Sequence, residues 1–225
     1  MSEYSDAVAT LDAELGNVLE VFRRLDEEQW SLPTRLQPLD DSMPRWTVFE
    51  LAGHFDISIG LARMLMADPQ EGQPGRDRVS FFIFHRPEVA PVVYDYAYRM
   101  VEGKTPADMV GVLEETFGKT VSEASATSPD TIGPGYYALM TIGEFVPSRV
   151  VEAVVHGLDL TDALDMDPVC SEAGVAITAG ILDELLARRT VAGRPSDLVG
   201  DDLAWIRAAA GRGLDHPDPR LPLIG

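Results

Sequence analysis

Apolar residues recur every three to four positions along most of the chain, which is the spacing of amphipathic helices. The first such segment covers residues 4–30, and a second begins at Thr47 and ends before Pro69. Glu50 follows Thr47 at the spacing of a capping box, so Thr47 is the predicted N-cap. Residues 31–45 contain three prolines and no period, and we expect them to form a loop.

Further helical segments follow a connection over residues 68–78 that is rich in Gly, Pro and charge. They are residues 88–102, 105 to about 125, 144–164, 171–189 and 201–211. Pro147 is expected in the first turn of its helix, where proline is tolerated. The aromatic run at 79–85 fits either an extended piece or a helical turn, and residues 125–137 are predicted to be a break without strand pairs.

We take four of the five segments in residues 4–164 as substantial helices, and two more follow them. The predicted fold is therefore all-α, an antiparallel four-helix bundle with a short α-helical carboxy-terminal extension. We expect residues 1–166 to form the bundle and residues 167–225 the extension packed on it.

A polar line runs through the otherwise apolar helix predicted at the end of the bundle. Arg149, Glu152, His156 and Asp159 step by three, four and three residues, so they share one helix face. A helix that is apolar nearly all round is usually buried. Buried charged groups are costly unless they are paired or bind a metal, and this line therefore needs a partner.

Metal binding is one answer, because Glu152 and His156 are four residues apart and can reach one ion. With His54 from a second helix they form a set that suits Zn²⁺ with an open fourth position, or Fe²⁺, while Ni²⁺ and Mn²⁺ also stay open. Asp159 can accept a hydrogen bond from the other nitrogen of His156. Arg149 can steer an anionic ligand or balance Glu152.

Simpler interpretations stand beside this one. The polar line can be an internal ion-pair network, and His54 can be a histidine at the edge of the core. His85 and His216 lie in loop-like contexts and are predicted to be surface residues. Cys170 lacks a neighbouring histidine, so a catalytic thiol is not expected there.

Composition narrows the function classes. A formal charge of −19 argues against nucleic acid and anionic lipid as partners. A single cysteine excludes an intrachain disulfide and a Cys-rich zinc site. No apolar run reaches the roughly 18 to 20 residues of a membrane span, and the amino terminus lacks signal-peptide features, so a cytoplasmic protein is expected.

Three stretches resemble the actinobacterial mycothiol-dependent maleylpyruvate isomerase family. They are RWTVFELAGHF at 45–55, RVVEAVVHGLDLTDAL at 149–164 and DDLAWIRAAAGR at 201–212. The resemblance implies a DinB-like metal-binding four-helix bundle in which His54, Glu152 and His156 hold a divalent metal, usually zinc. It further implies that mycothiol or a related low-molecular-weight thiol is activated at the open metal position.

The leading hypothesis is thus a metal-dependent thiol transferase or isomerase acting on a small electrophile. The segment after Leu164 shows no clear match to the larger carboxy-terminal domain of the isomerase, so maleylpyruvate itself is not carried over as substrate. A non-enzymatic metal- or small-molecule-binding protein and a purely structural bundle are the alternatives. Expected partners are a small-molecule substrate and a thiol, in a monomer or homodimer.

Overall fold

Helices make up most of the computed structural model, which describes residues 2–36, 44–84, 86–212 and 216–224. These residues form the α-helices α1 (Glu3–Arg24), α2 (Glu27–Trp30), α3 (Val48–Ala67), α4 (Arg86–Val101), α5 (Pro106–Ala126), α6 (Ile142–Ala163), α7 (Glu172–Arg189) and α8 (Asp202–Ala209). Two 3₁₀ turns lie at Ser80–Phe82 and Ser196–Leu198, and an antiparallel hairpin joins β1 (Ile132–Pro134) to β2 (Leu139–Thr141). The all-α prediction is confirmed. None of the helices in the described residues has the length and apolar character to cross a membrane.

Four helices, α1, α3, α5 and α6, surround the core, each packing on two of the others. Their directions follow from pairs of contacts: His54–His156 and Ser58–Arg149 between α3 and α6, Asp56–Thr116 and Arg63–Glu123 between α3 and α5, and Tyr4–Ala124 and Arg23–Glu114 between α1 and α5. Thus α3 and α5 run in the same direction, and both are antiparallel to α1 and α6. The predicted four-helix bundle is confirmed, but its helices are not all antiparallel to their neighbours, because a crossover containing α4, packed on α3, lets α3 and α5 run in the same direction.

Local capping explains several helix starts. The side chain of Thr47 accepts from the backbone of α3 while Glu50 bonds back to the Thr47 N–H, so the predicted capping box is confirmed. Thr105 and Asp108 form the same arrangement at α5. The first predicted helix, however, breaks at Leu25, which is extended, because a further capping box starts α2.

Two predictions about residues 125–147 are wrong. The described chain does contain a strand pair, in which Gly133 lies so close to α3 that a Cβ would be 2.1 Å from the carbonyl oxygen of Leu65. Only glycine permits that approach. Pro147 lies inside α6 and not in its first turn, because the Thr141 side chain caps the helix earlier. Pro147 therefore cannot donate to the carbonyl of Gly143.

The carboxy-terminal helices lie against the bundle. α7 packs on α6 and α1, and α8 packs on α7. Asn17 of α1 donates to the carbonyl of Val169 at 2.8 Å, just before α7. The tail then returns to α8, where the backbone of Leu223 donates to Ala209 at 2.7 Å. The boundary at residue 166 stays a prediction.

Candidate metal centre

Two bundle helices bring together the three residues proposed as metal ligands. The Nε2 atoms of His54 on α3 and His156 on α6 are 3.0 Å apart. Oε2 of Glu152 lies 3.3 Å from Nε2 of His156 and 3.5 Å from Nε2 of His54. The three side chains are only 10 to 16% exposed. Within the described residues this is the one group of three such side chains whose ligand atoms all lie within 4.8 Å of one another.

The protonation of His156 is set by its neighbour. Asp159, one turn along α6, lies 2.8 Å from Nδ1 of His156, so this nitrogen keeps its proton, and Nε2 is the nitrogen whose lone pair becomes available to a cation. Two ligands about 2.1 Å from one tetrahedral ion are roughly 3.4 Å apart. The observed separations surround that value, and the donor set therefore fits a divalent cation.

Packing orients the other imidazole. The ring of His54 lies 5.0 Å from that of Trp46, which in turn lies 4.7 Å from Tyr94. Nδ1 of His54 is buried and has no hydrogen-bond partner among the described residues. The side chain thus directs its other nitrogen, Nε2, to Glu152 and His156. Sequence reasoning missed the aromatic wall, although Trp46 stands directly before the recognised cap.

Electrostatics favour the metal-binding forms of Glu152 and His54. Burial opposes ionisation of Glu152, but hydrogen bonds with His156 and His54 and the charge of Arg149 outweigh it and hold the pKa of Glu152 well below its usual value. Burial, followed by repulsion from His156, lowers the pKa of His54. At neutral pH Glu152 is therefore an ionised carboxylate and His54 a neutral imidazole, the forms that bind a metal. Burial opposes protonation of His156, but hydrogen bonds with Asp159 and Glu152 outweigh it and raise the pKa of His156, so a cation must displace a proton there.

Arg149 is buried beside the cluster, with 1% of its side chain exposed. Its guanidinium donates to the Ser58 carbonyl at 2.7 Å and lies over the rings of Phe81 and Phe145, 4.6 and 4.5 Å from their centroids. Its Nη2 is 3.8 Å from Oε1 of Glu152. This position agrees with the predicted balancing of Glu152, whereas a role in steering a ligand stays a prediction.

The sequence model of the family described as the mycothiol maleylpyruvate isomerase N-terminal domain matches residues 11–161. This match covers most of the chain. The chain belongs to that family. The resemblance to the mycothiol-dependent maleylpyruvate isomerase family is therefore confirmed, and the helical bundle is the domain that this family model describes. A search of curated protein sequences finds no match.

Solved structures of the mycothiol-dependent maleylpyruvate isomerase share the fold of this chain. One is 14% identical over 96% of this chain and 94% of that chain, with a TM-score of 0.61. A histidine-to-alanine mutant of the isomerase is 15% identical over 95% and 93%, with a TM-score of 0.62. These alignments include much of the segment after Leu164. This segment therefore has a structural counterpart in the isomerase, although its sequence shows no clear match to the isomerase's carboxy-terminal domain.

Sequence reasoning also missed Arg212, which lies beyond α8 and binds Asp159 through Nε at 3.0 Å and Nη2 at 3.2 Å. Burial opposes ionisation of Asp159, but the charge of Arg212 and the hydrogen bond with His156 lower its pKa to about 2. The available signal was the end of the third resembling stretch, in which Arg207 and Arg212 follow Trp205.

The remaining candidates do not join the centre. His85 falls outside the described residues. His216 is partly exposed, contacts Asp197 at 3.1 Å and accepts from the Asp218 N–H, so it is a hydrogen-bonded residue of the tail, away from the centre. Burial raises the pKa of the Cys170 thiol and so favours its less reactive protonated form. No catalytic role was expected for this residue.

Proposed function

We propose that the chain binds a divalent cation, Zn²⁺ in the first instance, through His54, Glu152 and His156. We further propose that it is a transferase or isomerase that uses mycothiol or a related low-molecular-weight thiol to act on a small electrophile. The observation that carries this proposal is the meeting of two imidazole nitrogens and one carboxylate oxygen within 4.8 Å inside a bundle of this family. Three protein ligands leave a position open, which is the pattern of catalytic zinc sites.

A bound divalent cation would lower the pKa of a thiol ligand and supply a thiolate at neutral pH. The chain's own residues prepare the site for this chemistry. Asp159 holds the proton on Nδ1 of His156, and Arg149 compensates part of the negative charge of Glu152. Trp46 and Tyr94, which are 3% and 8% exposed, shield His54 from water.

The proposed partners are a small-molecule substrate and the thiol, and not nucleic acid or a membrane. A formal charge of −19 supports this, since it repels both phosphate backbones and anionic lipid surfaces. The proposed compartment is the cytoplasm, where low-molecular-weight thiols stay reduced. The proposed assembly is a monomer or a homodimer.

Metal analysis and thiol-addition kinetics test the proposal together. The purified protein should contain about one equivalent of divalent metal, as expected for a single three-ligand site. A variant carrying both His54→Ala and His156→Ala should lose it. The metal-loaded protein should accelerate addition of mycothiol to a panel of small electrophiles.

The outcomes separate the three hypotheses. Metal binding without any acceleration supports the non-enzymatic metal-binding protein. A wild-type protein that takes up no divalent metal, or a double variant that keeps its full complement, refutes the metal assignment. In the first of these cases, the polar line on α6 is a structural ion-pair network.

A further inference from the structure

One buried carboxylate connects the candidate metal centre to the carboxy-terminal segment. Asp159 is fully buried, and its Oδ2 lies 2.8 Å from Nδ1 of His156. On its other side, Arg212 donates through Nε to Oδ1 at 3.0 Å and through Nη2 to Oδ2 at 3.2 Å. Such a two-point arginine contact fixes the plane of a carboxylate as well as its position. The orientation of the His156 ring therefore depends on a residue outside the bundle.

The backbone around Arg212 is itself held in place. Gly211 adopts a φ of +68°, a conformation that favours glycine and turns the chain back after α8. The backbone N–H of Arg212 donates to the Arg207 carbonyl at 2.7 Å, and its Nη1 donates to the carbonyl of Ala210. The turn that follows α8 thus holds the guanidinium of Arg212 next to Asp159.

A second arginine of α8 provides a natural comparison. Arg207 pairs with Asp162, which lies three residues beyond Asp159 on the same helix. Both pairs join the carboxy-terminal segment to α6, but among the described residues the side chain of Asp162 pairs with Arg207 and not with a ligand atom of the proposed metal site. Loss of Arg207 therefore weakens the docking of α8 without removing a partner of Asp159.

We infer that Arg212 is a positioning residue of the metal centre, so that divalent metal binding and docking of the carboxy-terminal segment are cooperative. This inference rests on the proposed function. Without Arg212, Asp159 keeps only one of its two side-chain partners, and the His156 ring loses a fixed hydrogen bond. Outer partners of this kind typically change metal affinity by about 10- to 100-fold. Because coupling between two sites is reciprocal, bound metal must stabilise the docked segment by the same factor.

The first test measures zinc affinity of the full chain by competition with a chromophoric chelator. Arg212→Ala should bind Zn²⁺ about 10- to 100-fold more weakly than wild type, and Arg207→Ala less than about tenfold more weakly. Arg212→Lys keeps the charge but loses the two-point contact, so it should fall between Arg212→Ala and wild type. Circular dichroism establishes that each variant is folded, and the lysine variant carries the comparison if the alanine variant is not.

The second test measures amide hydrogen exchange in α8 with and without Zn²⁺. Zinc should slow exchange there in wild type and in Arg207→Ala, but much less in Arg212→Ala. Equal affinities of Arg212→Ala and wild type, or equal losses in both alanine variants, would overturn the inference while leaving the metal site intact. Failure of the wild-type protein to bind zinc would instead overturn the proposed function and this inference with it.

Discussion

Two buried glutamates, Glu152 on α6 and Glu14 on α1, show how partners decide what a buried carboxylate can do. Glu14 is 1% exposed and accepts hydrogen bonds from the backbone N–H of Ser171, at 2.9 Å, and from its hydroxyl. Burial raises the pKa of Glu14, and the Ser171 hydrogen bonds only partly oppose this. The pKa of Glu152 is shifted the opposite way. Burial alone therefore does not identify a ligand.

The chemical difference lies in what faces each carboxylate. Glu152 meets two imidazole nitrogens, which offer lone pairs to a cation, and a guanidinium that favours its charged form. Glu14 meets neutral donors at the start of α7, which use its oxygen to hold two elements together. We conclude that the first arrangement is suited to binding and the second to fastening α1 to α7.

The largest expected effect separates the two glutamates by metal affinity. Glu152→Gln removes an anionic ligand, so zinc affinity should fall by more than about 100-fold, beyond the range typical of outer partners. Glu14→Gln is the matched control and should keep wild-type affinity. Competition with a chelator measures both. Comparable losses in the two variants would remove the distinction drawn between them.

A smaller effect on stability should appear at Gly174, which packs against Glu14. A Cβ on residue 174 would lie 2.3 Å from Oε1 of Glu14, so Gly174→Ala must displace the carboxylate from Ser171. We expect the free energy of unfolding to fall by about 1–3 kcal/mol, as for other overpacked sites. Urea denaturation measures this change.

Gly180, on the same helix, is the control for the helix propensity of alanine. A Cβ there meets nothing within 4 Å, and the position is exposed. Gly180→Ala should raise the free energy of unfolding by about 0.5–1 kcal/mol. No loss of stability at Gly174, or a loss at Gly180 equal to that at Gly174, would contradict the close packing of Gly174 against Glu14.

The smallest effect is a pH dependence carried by Glu14. Because its pKa in the folded protein is raised above the ordinary value of 4.5, the folded protein holds the proton more tightly than the unfolded chain. The contribution of Glu14 to the free energy of unfolding is greatest below pH 4.5 and falls as the pH rises through the folded pKa. In the Glu14→Gln variant the side chain at position 14 is an amide, which does not titrate.

The stability of Glu14→Gln relative to wild type should therefore increase with pH across that window and then level off. Urea denaturation of both proteins at a series of pH values checks this. A constant difference, or one that decreases with rising pH, would mean that burial does not govern the titration of Glu14.

Much of the candidate site could be predicted because it rests on local spacing. The i, i+4 relation of Glu152 and His156 fixes their common face, and the capping box of Thr47 fixes the start of the helix that carries His54. The meeting of these two helices required the family resemblance as well. That the three residues bind a metal stays a prediction.

The missed features depend on contacts between distant segments. The site partner Arg212 is 53 positions from Asp159, and no periodic pattern relates them. The hairpin strands are three residues each, too short for an alternating pattern, and Gly133 is explained only by its closeness to Leu65. Nor does the pattern indicate that α3 and α5 run in the same direction.

The parallel placement of α3 and α5 has a consequence for the order in which the molecule matures. It puts the crossover between His54 and the other two proposed ligands, so His54 and His156 are 102 positions apart in the chain. Contacts of such high sequence separation close late in folding. A chain growing on the ribosome would present His54 alone until α6 had been made, and Arg212 later still. The three proposed ligands can therefore meet only after α6 has been made.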